Sequence, residues 1–184
     1  MDLDDLRAAR QGDHAAAARL VARHGAGMVR TARRVLGRYR DGEGDDVVQE
    51  AFIAALTTEA AASGDVGAWL RAITARKALD SLRGAARRPA VPLADAAAEA
   101  ERRHSEDART RIEVLALRQA LARLSPADRA VLTLVDLEGL SMAETAAALG
   151  VTNVAVRLRA VRARRKLLRL LRADGAPVPD RVSA

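Results

Sequence analysis

Only three aromatic side chains, Tyr39, Phe52 and Trp69, occur in the 184 residues, and this scarcity limits the fold more than any other feature. Strands favour aromatic and β-branched residues, and both are sparse here. Ala, Leu and Arg dominate instead, and all three favour helices. Ala contributes little area on burial, so a core must come from helices in close approach rather than from large interlocking side chains. The expected fold class is all-α.

Apolar spacing and punctuation divide the chain into helical stretches. A short helix over about 3–10 is broken at Gly12-Asp13, and Asp13 is placed to cap a second helix. Gly25 and Gly27 suggest a further break before Met28, Ala32, Val35 and Leu36. The run 38–44 reads as a loop. Asp45 or Asp46 then opens a helix with Val47, Val48, Ala51, Phe52, Ala55 and Leu56 on one face. After a loop at 63–67, a longer helix runs from about 68 to 86. Pro89 and Pro92 end it, and 89–108 is acidic, Ala-rich and too poor in large apolar residues to anchor a core, which reads as a linker. The organisation predicted is two small helical domains, 1–88 and 109–173, joined by a flexible linker over 89–108, with a disordered tail over 174–184.

Charge is distributed unevenly along this plan. The formal net charge is +7, and the excess sits in the last third, where 109–172 carries 13 basic and 5 acidic side chains. Such a surface favours an anionic partner. The absence of cysteine excludes disulfides, thiolate metal sites and Cys nucleophiles. No apolar run approaches the roughly 20 residues of a membrane span. The N-terminus, Met1-Asp2-Leu3-Asp4-Asp5, is acidic where a signal peptide is basic and then apolar, so a cytosolic protein without membrane insertion is expected.

Residues 141–172 carry the most specific pattern. Ser141 and Glu144 form a capping-box sequence, Gly150 stands at the end of a short helix, and Thr152 or Asn153 caps a helix of roughly 20 residues. This is the signature of a helix-turn-helix, with Ala146 small at the helix crossing and Val151 expected to plug the turn from inside. The second helix carries Arg157, Arg159, Arg162, Arg164, Arg165, Lys166, Arg169 and Arg172 and no acid. Like charges at this density repel unless a phosphate backbone neutralises them. In such geometry Thr152, Asn153, Val154, Ala155, Arg157 and Arg159 lie near base edges, while Arg162, Arg165 and Lys166 are placed for phosphates. Asn reads adenine and Arg reads guanine in the major groove.

Further motifs give the chain a family resemblance. Asp45-Asp46-Val47-Val48-Gln49-Glu50-Ala51-Phe52 resembles the acidic-hydrophobic helix of sigma-factor region 2. Trp69-Leu70-Arg71-Ala72-Ile73 and Ala78-Leu79-Asp80-Ser81-Leu82-Arg83 resemble the stretch that follows it. Ala120-Leu121 through Arg129 resembles the opening of region 4, and 137–167 its helix-turn-helix. Four motifs in order, with a short linker, resemble the compact extracytoplasmic-function (ECF) group of bacterial sigma factors.

The resemblance implies a promoter-reading subunit of RNA polymerase with no enzymatic activity of its own. It implies that Asp45, Asp46, Gln49 and Glu50 dock on the clamp coiled-coil of the largest polymerase subunit. It assigns the −10 element to Trp69, Arg76, Lys77, Asp80, Arg83, Arg87 and Arg88, and the −35 element to the second helix of the helix-turn-helix. Trp69 is a candidate either to stack on an unpaired base or to pack in the core. Helix capping is the plain alternative for Asp45 and Asp46. Arg76 stands where the family usually has Asn, Thr145 where it commonly has Ile, and Ser125 where it commonly has Pro. Two linked domains leave room for an anti-sigma factor to clamp both.

Two other functions fit parts of the chain. A helix-turn-helix regulator acting without polymerase explains 141–172 but not the acidic helix or the basic residues at 76–88. A metal-dependent nuclease would use Asp41, Glu43, Asp45, Asp46 and Glu50. His14, His24 and His104 are scattered and read as surface groups, and no nucleotide-binding Gly motif is present. No cofactor and no metal are expected.

Overall fold

The computed structural model describes residues 1–58, 65–86 and 108–174, and every regular element among them is helical. Helix α1 spans Asp2–Arg10 and α2 spans His14–Leu36. Gly12 turns the chain between them with φ at 97°, and Asp13 accepts hydrogen bonds from the amides of Ala15 and Ala16, which α2 leaves without internal partners. The break expected at Gly25 and Gly27 does not occur, and α2 continues through both. Each glycine costs about 1 kcal/mol in a helix interior. Burial of Leu20, Met28, Ala32 and Val35 along one side of α2 outweighs that cost.

A 3₁₀ segment, Arg38–Glu43, leads into α3 (Gly44–Thr57), and α4 spans Val66–Ala86. Helix α2 packs against α1, α3 and α4. On α4, Ala72, Ala75 and Ala78 are buried, so the helices approach over small side chains as the composition requires. Gly67 lets the chain pass close to His24, since a Cβ there would lie 2.9 Å from its Nδ1 and force the ring to shift. His24 is not the surface group expected from the sequence. Its ring is mostly buried, with Nε2 2.9 Å from Asp2 Oδ2.

The last third comprises α5 (Ala108–Ala122), α6 (Pro126–Leu132), α7 (Met142–Leu149) and α8 (Asn153–Ala173). Helix α6 runs directly into a wider π turn, Thr133–Leu137. The linker expected over 89–108 and the tail over 174–184 fall outside the described residues, except that Ala108 begins α5 and Asp174 follows α8.

The two halves meet directly. Ala130, Leu134 and Leu140 belong to the same buried core as α1–α4, and α4 lies against α6 and α7. Two polar side chains fix this seam. Arg129, on α6, donates from Nε to the Val35 carbonyl at 2.9 Å and from Nη2 to that of Leu36 at 3.2 Å. Its Nη1 donates to the Ala122 carbonyl at 3.2 Å, so one guanidinium caps the C-terminal ends of both α2 and α5. A cation is favoured at those negative helix ends. Gly37 admits it, since its φ is 76° and a Cβ there would sit 3.0 Å from the guanidinium. Burial pulls the Arg129 pKa below its ordinary value. Glu138, just past the π turn, accepts from Thr31 Oγ1 and Arg34 Nη1, each at 2.9 Å, and pairs with Arg71 Nε at 2.8 Å.

Candidate polymerase and nucleic-acid interfaces

The helix-turn-helix forms through the local chemistry of its caps. The Ser141 hydroxyl accepts from the Glu144 amide while the Glu144 carboxylate accepts from the Ser141 amide, which closes the capping box at the start of α7. Gly150 ends α7 in the left-handed conformation, with φ 66° and ψ 38°. The Thr152 hydroxyl then accepts from the Ala155 amide and caps α8. Val131, Ala146, Val156 and Ala160 fill the space between α6, α7 and α8, with Leu149 and Met142 against them. Val151 does not plug the turn as expected. It is exposed, and Leu149 packs inward in its place. Thr145 is fully buried, and its hydroxyl has no hydrogen-bond partner.

Helix α8 presents a broad outward face. Thr152, Val154, Arg157, Arg159, Arg162, Arg165 and Lys166 are exposed, and Ala155 is half-buried. Asn153 is half-buried at the start of α8, and its carboxamide oxygen is buried without a hydrogen-bond partner. Arg164 turns toward the protein, donating from Nη2 to Asp136 Oδ1 at 2.5 Å and from Nε to Asp136 Oδ2 at 3.1 Å. Those bonds raise its pKa above the ordinary arginine value. It ties α8 to the π turn. Leu158 and Val161, not singled out from the sequence, are also exposed on this face, and counting α8 positions from the Thr152 cap would have located them.

On α4, Arg76, Asp80 and Arg83 are exposed in a row spaced by four and three residues, and Arg83 Nη1 donates to Asp80 Oδ1 at 3.1 Å. Lys77 is half-buried, with Nζ 3.8 Å from Glu50 Oε2 on α3. Arg87 and Arg88 lie outside the described residues. Trp69 packs against the core, with the Arg10 guanidinium 5.6 Å from its ring centre, and Arg10 also donates to the Ala55 carbonyl.

Asp45, Asp46, Gln49 and Glu50 are all exposed on the first two turns of α3. None acts as the cap, since Glu43 holds that position without a side-chain cap bond. Beside them a shallow groove of about 510 Å³ runs between α2 and α3, lined by Val21, Gly25, Ala26, Val29, Val48 and Phe52 with Asp45 and Gln49 at its edge. Gly25 thus lines this groove without breaking α2. Glu43 is engaged by Arg40 and Ser81. Among the described residues no group of three or more His or acidic side chains is arranged to hold a metal.

A basic helix-turn-helix packed on a helical unit with an acidic, grooved edge defines a DNA-binding transcription protein. The comparisons specify its kind. Residues 20–88 match Sigma-70 region 2 and residues 115–167 match Sigma-70, region 4. The chain is 35% identical over 172 residues to the ECF RNA polymerase sigma factor SigM of Mycobacterium tuberculosis, covering 92% of this chain and 84% of the relative. It is 33% identical to the RNA polymerase sigma factor CnrH of Cupriavidus metallidurans, covering 94% of this chain and 96% of that one. The solved structure of CnrH in complex with the cytosolic domain of CnrY superposes with a TM-score of 0.64 at 31% identity, over 94% of this chain and 98% of that chain. The sigma factor RpoE from Bartonella quintana, at 21% identity and a TM-score of 0.65 over 85% of this chain and 96% of that chain, shares the fold. The chain belongs to the ECF sigma factors of the sigma-70 family, which direct RNA polymerase to promoters.

Proposed function

We propose that this sigma factor divides its work among three surfaces. The edge formed by Asp45, Asp46, Gln49 and Glu50, with the adjoining α2–α3 groove, receives the clamp coiled-coil of the polymerase core. The row Arg76, Asp80 and Arg83 works at the −10 element, and Lys77, Arg87 and Arg88 are assigned to the same task from the sequence. The outward face of α8 binds the −35 element. Trp69 serves this arrangement by packing, since Arg10 already occupies one approach to its ring.

The acidic edge carries this reading. Four exposed polar or acidic side chains stand on α3 of a chain of net charge +7, Asp45 and Gln49 of them at the edge of an apolar groove, and none holds the N-cap position. Such an edge suits a basic helical partner that buries an apolar stripe. A regulator acting without polymerase has no use for it.

The same division leaves surfaces on both halves for an anti-sigma factor. The relative RpoE was solved with the anti-sigma factor NepR, which supports a partner of that class here. Non-enzymatic action in the cytoplasm completes the reading. No described helix is long and apolar enough to cross a membrane. The test is affinity for purified core polymerase. Asp46→Asn combined with Glu50→Gln should weaken core binding at least tenfold while duplex DNA binding is retained. Unchanged core affinity contradicts the assignment.

A further inference from the structure

The outward face of α8 is not uniformly basic. Val154, Leu158 and Val161 are spaced by four and three residues, so they stand in one row on the side opposite the buried Val156, Ala160 and Ala163. They are 66%, 52% and 45% exposed. Single exposed apolar residues need no explanation. Three in line in the N-terminal half of a recognition helix, continued on the same side by Arg162, Arg165 and Arg169, do. Of the residues expected to supply polar readout here, Asn153 has its carboxamide oxygen buried, while Arg157 stays exposed beside the row. The N-terminal half of the reading face therefore carries an apolar row beside the exposed Arg157, and the C-terminal half is cationic.

Resting on the promoter-binding reading of α8, we propose that Leu158 and Val154 are specificity-determining residues that recognise thymine 5-methyl groups in the upstream promoter element. In a helix-turn-helix the N-terminal part of the second helix meets base edges in the major groove. The thymine methyl is the apolar feature that groove displays, and apolar side chains select it by contact. Arg162, Arg165 and Arg169 then hold phosphates further along, which fixes the register without reading sequence. Charge favours DNA as the occupant of this row, because the cationic half of the same face must lie on an anion whenever the apolar half is covered.

The test uses holoenzyme formed with core polymerase and the upstream element recovered by run-off transcription from a random promoter library. Each thymine of the element is replaced singly by uracil, which pairs identically and lacks only the methyl. The wild-type protein should lose about three- to fivefold in affinity at one or two positions, the size set by one buried methyl group. Leu158→Ala or Val154→Ala should abolish that discrimination at its own position. Arg165→Ala should weaken thymine and uracil duplexes equally. If the library yields no start sites, the promoter role fails, and the same thymine–uracil comparison is made on duplexes selected by the full chain alone. Uracil tolerated at every position, or discrimination unchanged in both alanine variants, overturns the proposal.

Discussion

Helices α4 and α8 are both assigned to promoter DNA, yet they stand in opposite structural situations. Helix α4 touches α2, α3, α6 and α7, and Val66, Leu70, Ala72, Thr74, Ala75, Ala78 and Leu79 are all buried. It offers solvent a narrow row of charged side chains, Arg76, Asp80 and Arg83. Helix α8 buries only Val156, Ala160 and Ala163, and most of its circumference is open. Under the proposed assignment, one helix is a strut that also reads, and the other is a reader held by one edge. Changes in α4 therefore act on stability and binding together, whereas changes on the outer face of α8 act on binding alone.

The largest effect should separate the two helices most sharply. Leu70→Ala, at a position with no solvent exposure, should cost about 3–4 kcal/mol in denaturant unfolding, whereas Leu158→Ala should stay within about 0.5 kcal/mol. Equal costs would erase the distinction.

Next in size is the seam that joins the two halves. Arg129→Met keeps much of the side-chain volume but leaves the carbonyls of Val35, Leu36 and Ala122 without their donor, so about 2–3 kcal/mol should be lost. The loss should appear in the unfolding of both halves, because the guanidinium caps a helix in each. A loss confined to the C-terminal third would mean that the cap on α2 contributes nothing.

The smallest effect concerns the cap that positions α7 beneath α8. Hydrogen bonds from the Ser141 side chain and backbone hold the Glu144 carboxyl below its ordinary pKa. A depressed folded-state pKa contributes stability that is complete above the unfolded value, about 4.3, and is lost as pH falls through the folded value. Glu144→Gln retains an acceptor but does not titrate. Denaturation midpoints measured from pH 7 downward should thus fall less steeply below about pH 4.3 in the variant than in the wild type.

What was legible in the sequence was local. Asp13, Ser125, Ser141, Gly150 and Thr152 declare their roles because a cap depends on neighbours within three residues, and the structure places each as a cap or turn. The all-helical class followed from composition in the same way. The continuity of α2 through Gly25 and Gly27 was not legible, because packing against other helices overrides a weak local preference. Nor was the seam. Arg129 and Glu138 look like ordinary charged positions until partners 94 and 107 residues away are brought beside them. Of the candidate site, the basic face of α8 and the acidic edge of α3 could be read from charge and spacing. The burial of the Asn153 oxygen and the exposure of Val151 could not, because both depend on packing around the turn that the local pattern does not specify.

The central claim is that this chain gives RNA polymerase a promoter choice through two reading surfaces on two packed helical halves. Run-off transcription with purified core polymerase on a genomic promoter library, with and without the protein, tests it most directly. The account predicts new start sites that share two spaced upstream elements, and their loss with Asp46→Asn and Glu50→Gln. No added transcripts, while the protein still binds duplex DNA, would contradict it.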